Sequence, residues 1–151
     1  MKINHILYPT DFSESSNVAI DYVKNIAQTH GSKITMMYVM DQVGISKGWY
    51  VPHISLDAFY QEMEENAKKK LDRCCYEQFR EFKDIERVVA KGEPDEEIIK
   101  YADSKGVDLI VMASPIKTGM DFVFGSAVEK VIRKAKCPVL CVRLPLKEVI
   151  R

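Results

Sequence analysis

Residues 107–143, VDLIVMASPIKTGMDFVFGSAVEKVIRKAKCPVLCVR, limit what this chain can fold into more than any other part of it. Leu109-Ile110-Val111-Met112 is a short, continuous apolar run, the pattern of a strand whose two faces are both covered. A loop containing Pro115 and Gly119 follows. Gly125-Ser126 then opens a helix with apolar residues at Val128, Val131, Ile132 and Ala135. Cys137-Pro138 stops that helix, and Val139-Leu140-Cys141-Val142 reads as a second buried strand. Strand, loop, helix and strand in this order make one parallel βαβ crossover. Ligands of such sheets sit beyond the carboxyl ends of the strands, which here is the 113–126 loop.

The remaining sequence repeats the alternation. His5-Ile6-Leu7-Tyr8 predicts a first strand ended by Pro9, followed by Thr10-Asp11-Phe12-Ser13-Glu14-Ser15-Ser16, rich in residues that cap helices. Val18, Ala19, Tyr22, Val23, Ile26 and Ala27 give a first helical face that closes at Gly31, and Lys33 to Val39 a second strand. The pattern dissolves between Met40 and Leu56. We read a long loop there, with Trp49 and Tyr50 either stacking on a ligand or packing the loop down. A second helix runs from Asp57 to Phe82 on Phe59, Met63, Ala67, Leu71, Cys75 and Phe79, with a solvated face of Glu62, Glu64, Glu65 and Lys68 to Lys70. A weakly marked strand covers Ile85 to Ala90. Pro94 suits the first turn of a third helix, which carries Ile98, Ile99 and Ala102 and ends at Gly106. Five strands alternating with four helices predict a doubly wound α/β fold, with residues 1–151 as one domain.

Charge narrows the partners. Twenty-two Lys and Arg balance twenty-two Asp and Glu, so no net basic field draws nucleic acid or an anionic membrane. No apolar run approaches the ~20 residues of a membrane span, and the expected location is the cytoplasm. The four cysteines form no C-x-x-C, and His5, His30 and His53 cluster with nothing, so no metal site is expected. The cysteines read as small buried hydrophobes in a reducing compartment.

Taken in order, ILYPTDFSESS (6–16), MMYV at the end of the second strand, KGEP before an acidic helix start, GVDLIVM, GS before a helix, and CPVLCVR resemble the universal stress protein (UspA) superfamily. The resemblance runs from about Ile3 to Arg143. It implies a five-stranded parallel sheet in order 3-2-1-4-5 of the adenine nucleotide alpha-hydrolase-like class. It also implies a homodimer joined through the last strand, Val139, Leu140, Cys141 and Val142.

That superfamily has one branch that binds ATP through the loop G-x2-G-x9-G-[ST] and one that lacks the loop. Laid on this sequence, the first two glycines fall at Ala113 and Ile116, while Gly125 and Ser126 match the final pair. Only eight residues separate Ile116 from Gly125, one fewer than the motif has. A β-branched residue resists the positive φ that a phosphate cradle uses. By the same resemblance, Pro9 and Asp11 line the ribose and adenine end and the Val39 backbone meets the adenine edge. Lys117, Thr118 and Gly119 remain as polar loop residues. Beside these stand plainer roles: Asp11 as a helix cap, Gly125 as a helix opening and Lys117 as a solvated charge.

The expected function is therefore a non-catalytic, dimeric stress-response or regulatory protein with a degenerate nucleotide site. The alternative is an ATP- or AMP-binding switch that uses a rearranged loop with Mg²⁺ and hydrolyses ATP slowly. A phosphorelay receiver is disfavoured because Asp11 stands alone after the first strand and the third strand leads into Lys91-Gly92-Glu93. Adenylate-forming enzymes are disfavoured by the lack of S-G-G-x-D-S and H-x-G-H.

Overall fold

The computed structural model describes residues 1–41, 56–114 and 126–143. Residues 42–55 of the expected loop, with Trp49 and Tyr50, and Ile116, Lys117, Thr118, Gly119 and Gly125 lie outside the described residues. Strand β1 (His5–Pro9) leads to a helical turn α1 (Glu14–Asn17) and helix α2 (Ile20–His30). Then come β2 (Lys33–Met40), α3 (Leu56–Gln78), β3 (Ile85–Lys91), α4 (Pro94–Lys105), β4 (Leu109–Ala113), α5 (Ser126–Lys134) and β5 (Val139–Val142). All strand pairs are parallel, in the order β3-β2-β1-β4-β5. The predicted doubly wound sheet is the observed one.

The helices cover both faces. On one side Val23 and Ala27 of α2 and Leu71 and Cys75 of α3 pack with Ile6, Tyr8, Ile34, Met36 and Val111. On the other, Ile98 and Ala102 of α4 and Val128 and Val131 of α5 pack with Leu7, Met37, Ile110 and Met112. Strands β1, β2 and β4 are thus apolar on both faces because both are buried. Helices α2 and α4 stop where Gly31 and Gly106 take left-handed backbone at φ 67° and 63°, which a Cβ would penalise. Pro94 is the first residue of α4, where its missing N–H costs no helical bond.

Several boundaries differ from the sequence reading. The first helix is broken: α1 ends at Asn17, and α2 starts at Ile20 after Val18 and Ala19. Helix α3 ends at Gln78, before the expected Phe82, and Phe79 and Phe82 then turn back into the core. Of the cysteines only Cys75 is fully buried; Cys74, Cys137 and Cys141 are half-buried, and all four are free thiols. His5 Nε2 lies 2.8 Å from Thr35 Oγ1, and His30 Nδ1 accepts the Ile3 N–H at 3.3 Å.

Pro9 is the last residue of β1, as expected, but the strand's two ladders end at different points. The Asp108 N–H donates to the His5 carbonyl and the Thr10 N–H to the Met37 carbonyl, so odd residues of β1 face β4 and even ones face β2. Pro9 belongs to the odd phase and offers β4 no donor. Pairing with β4 is confined to Ile6↔Leu109 and Leu7↔Ile110, whereas pairing with β2 continues to Pro9↔Met37. Beyond Leu7 the two central strands part.

Candidate functional site

The gap between β1 and β4 lies at the switch point of the sheet. From β1 the chain builds β2 and β3 on one side, then returns to place β4 and β5 on the other. Connections leave in opposite directions there and open a crevice at the carboxyl ends of the strands. It holds a cavity of about 320 Å³. Its floor is apolar, made by Pro9, Met37, Val39, Ile98, Met112, Ala113 and Val128, and one wall is polar, made by Thr10, Asp11, Ser13, Ser15 and Ser16.

The polar wall is the turn after β1, fixed by its own hydroxyls. Ser13 is the N-cap of α1, its Oγ accepting the Ser16 N–H at 3.1 Å. Ser16 Oγ donates to the Ser13 carbonyl at 2.8 Å and lies 3.0 Å from Thr10 Oγ1. Thr10 Oγ1 also accepts the Phe12 N–H at 3.0 Å. Below this cluster, Tyr8 donates its phenolic O–H to the Ser16 carbonyl at 2.8 Å, and burial pushes that phenol to about 12. Tyr8 is therefore a neutral strut, not a proton donor to a ligand.

Asp11 is not the cap that its position allowed. Its Oδ1 accepts the Ser13 N–H at 2.9 Å, a short turn that precedes the helix and leaves the carboxylate exposed at the cavity wall. Partial desolvation opposes its ionisation, but hydrogen bonds from Ser13 and Ser16 outweigh that and hold the carboxyl below the usual aspartate value. At neutral pH the wall carries a fixed negative charge beside several hydroxyls. Such a surface suits the hydroxyls of a sugar or the N–H groups of a heterocycle, over an apolar floor that accepts a flat ring.

Phe12, between Asp11 and Ser13, adopts φ 64° and is the one non-glycine residue with positive φ among the described residues. For an L residue that conformation costs about 1–2 kcal/mol. Its ring stacks on Tyr38, with centroids 5.0 Å apart, and Lys70 Nζ of α3 lies 5.5 Å from its centroid. An aromatic pair and an exposed cation–π contact contribute about 0.5–1.5 and 0.5–1 kcal/mol, enough to offset the strain.

Residues 2–143 match the sequence model of the universal stress protein family. The chain belongs to that family. A universal stress protein of Methanocaldococcus jannaschii is 33% identical over 151 residues, which cover 91% of this chain and 93% of that protein. A second from the same organism is 34% identical over 149 residues, covering 95% and 84%. The solved structure of the first superposes with a TM-score of 0.80 at 30% identity, over 97% of this chain and 99% of that one. Lactobacillus plantarum UspA superposes at 0.74 with 24% identity, over 95% and 99%, a likeness of fold.

In this universal stress protein four of the expected site residues meet at one cavity: Pro9, Asp11, Val39 and Ala113. Ser126 opens α5 as expected, and its neighbours Ala127 and Val128 line the cavity. Lys117, Thr118, Gly119 and Gly125 are outside the described residues, so the expectation of a phosphate-binding end rests on sequence alone. Sequence reasoning missed the other lining residues, among them Thr10, Ser13, Ser15, Ser16, Tyr38, Pro94, Ile98 and Met112. The available signal was position, since each stands at or just past the carboxyl end of a strand or within the first turns of the helix that follows. Among the described residues no group of three or more His, Cys, Asp or Glu could hold a metal ion, and no helix is long and apolar enough to cross a membrane.

Proposed function

We propose that this universal stress protein is a non-catalytic, cytoplasmic regulatory protein of one domain, residues 1–151. It acts as a homodimer whose cavity keeps the nucleoside half of an adenine-nucleotide site and has lost the phosphate half. The observation that carries this reading is the cavity at the β1–β4 switch point, lined by Pro9, Asp11, Val39 and Ala113 together. The apolar floor and the Asp11–serine wall suit an adenine ring and a ribose. Ala113, Ile116 and the eight-residue spacing to Gly125-Ser126 deprive the loop of two glycines and one residue that a phosphate cradle needs. Lys117, Thr118 and Gly119 offer a single cation and polar groups in place of the N–H donors of a glycine cradle. For catalysis the described lining supplies one carboxylate, held ionised, with no second acid or base beside it.

A second reading, a nucleotide-responsive switch using the rearranged loop with Mg²⁺, is favoured by the intact nucleoside half. Two universal stress proteins of this fold have been solved in complex with cAMP and, from Archaeoglobus fulgidus, with dAMP. Their identities of 21% and 19% speak for the fold, so the cavity carries the argument. The homodimer is assigned to β5, an edge strand whose Val139, Leu140 and Cys141 are half-buried and carry no guarding charge.

A repaired loop tests the degenerate-site reading: Ala113→Gly with Ile116→Gly and one residue inserted before Gly125. Affinity for ATP with Mg²⁺ should rise in that variant. A flat response would mean that loop geometry is not what limits phosphate binding.

A further inference from the structure

The turn that makes the polar wall of the cavity contains an aromatic residue that does not line it. Asp11 and Ser13 line the cavity, while Phe12 between them lines the groove on the far side, with Asn17, Ile20 and Lys70. Its backbone is turned to φ 64°, and its N–H is spent on Thr10 Oγ1 at 3.0 Å. Three separate elements hold it there: Thr10 at the end of β1, Tyr38 in β2 and Lys70 in α3. A left-handed non-glycine residue persists only where its surroundings over-determine it, and such residues collect at binding sites. Here the reversal of chain direction at Phe12 sets the Ser13 N–H against Asp11 Oδ1 at 2.9 Å.

We infer that Phe12 is a positioning residue for the cavity: clamped by Tyr38 and Lys70, it fixes the Asp11 carboxylate and Ser13 in the orientation a ligand meets. The inference rests on the reading of this cavity as a nucleotide site, although its first test needs no ligand. Without the ring the backbone is free to relax to negative φ, and the Ser13 N–H then leaves Asp11. The carboxylate loses the hydrogen bond that stabilises its ionised form. Tyrosine keeps the stacking surface. Leucine keeps apolar bulk against the core but lacks the aromatic face, and alanine lacks both.

The experiment is titration of the Asp11 side-chain carbon by ¹³C NMR in the full chain without ligand, for the parent, Phe12→Tyr, Phe12→Leu and Phe12→Ala. Near-ultraviolet circular dichroism identifies any variant that fails to fold, and leucine serves if alanine does not. The parent and Phe12→Tyr should titrate below the ordinary aspartate range. Phe12→Leu and Phe12→Ala should move upward towards it, with faster hydrogen exchange at the Ser13 amide. An unchanged Asp11 midpoint in the folded leucine and alanine variants would overturn the inference. Calorimetric titration with AMP adds the functional arm. Loss of a charge-assisted contact predicts about a tenfold weaker AMP complex in Phe12→Ala, with affinity retained in Phe12→Tyr. Unaltered AMP affinity in an alanine variant whose Asp11 midpoint has moved would also overturn it. A parent that binds no AMP overturns the nucleotide reading instead, and the NMR result alone then decides whether Phe12 sets the carboxylate.

Discussion

Replacing Cys141 with proline should weaken the proposed dimer while leaving the protomer folded. In the parallel ladder between β4 and β5, the Ile110 N–H donates to the Pro138 carbonyl and the Ser114 N–H to the Val142 carbonyl. The ladder to β4 therefore runs through residues 138, 140 and 142. Val139 and Cys141 turn their N–H and C=O groups to the open edge. Proline at 141 removes one edge donor and no donor used by β4. A twofold contact counts the loss twice, so at ~0.5–1.5 kcal/mol per bond the dimer weakens by about 1–3 kcal/mol, or roughly 5- to 150-fold. Cys141→Ala controls for the side chain and should dimerise like the parent. Leu140→Lys places two ammonium groups at the twofold contact and should give monomer. Val142→Lys is a poor probe, because Val142 is 4% exposed within the core of its own protomer and lysine there would unfold it. Sedimentation equilibrium reads the dissociation constant directly. A parent that is monomeric at tens of micromolar, or a folded Cys141→Pro that dimerises as tightly as the parent, would refute edge pairing through β5.

Other consequences are simpler to check. Burial, and then the neighbouring Lys33 ammonium, lower the His5 pKa below the ordinary histidine value, so the unfolded chain takes up that proton first. The stability contribution is complete above about pH 6.5 and is lost as pH falls towards the folded value, so thermal melts should drop over that range and flatten in His5→Gln. Ser13→Ala removes the N-cap of α1 and should cost ~1 kcal/mol in chemical denaturation, with Ser13→Asp nearly neutral. Asp11→Ala should cost less than Ser13→Ala, because the Ser13 N–H it releases is near solvent and can turn to water; equal or larger loss would restore Asp11 as the main local anchor.

The strands were legible because burial on both faces leaves a plain trace, whereas their order came from the family resemblance. Leu109 to Met112 and Ile34 to Met37 have no polar alternation except Thr35, whose hydroxyl is met by His5 and Tyr101. Helix ends at Gly31 and Gly106 and the start at Pro94 were legible because each position needs that residue's backbone. Strand β3 was faint because it is only half-buried and spends Glu86 and Arg87 on ion pairs with Lys33 and Asp72. The break between α1 and α2 left no mark, since Val18 and Ala19 continue the apolar face. Nor could the sequence choose between Asp11 and Ser13 as the cap. Both are good acceptors, and the turn between them carries Phe12 at positive φ, in contact with Tyr38 and Lys70 from distant segments. The cavity was legible only as a place beyond strand ends. Its walls come from five stretches, and no local pattern announces that Ser16, Ile98 and Val128 stand near one another.

Calorimetric titration of the purified protein with ATP and Mg²⁺ tests the central claim most directly. A cradle that has lost two or three charge-assisted hydrogen bonds, at ~1.5–3 kcal/mol each, turns a micromolar site into a millimolar one or weaker. The degenerate-site account therefore predicts a dissociation constant of about a millimolar or no measurable heat. A constant at or below about ten micromolar would mean that residues 113–126 hold phosphates in some other way, and would contradict it.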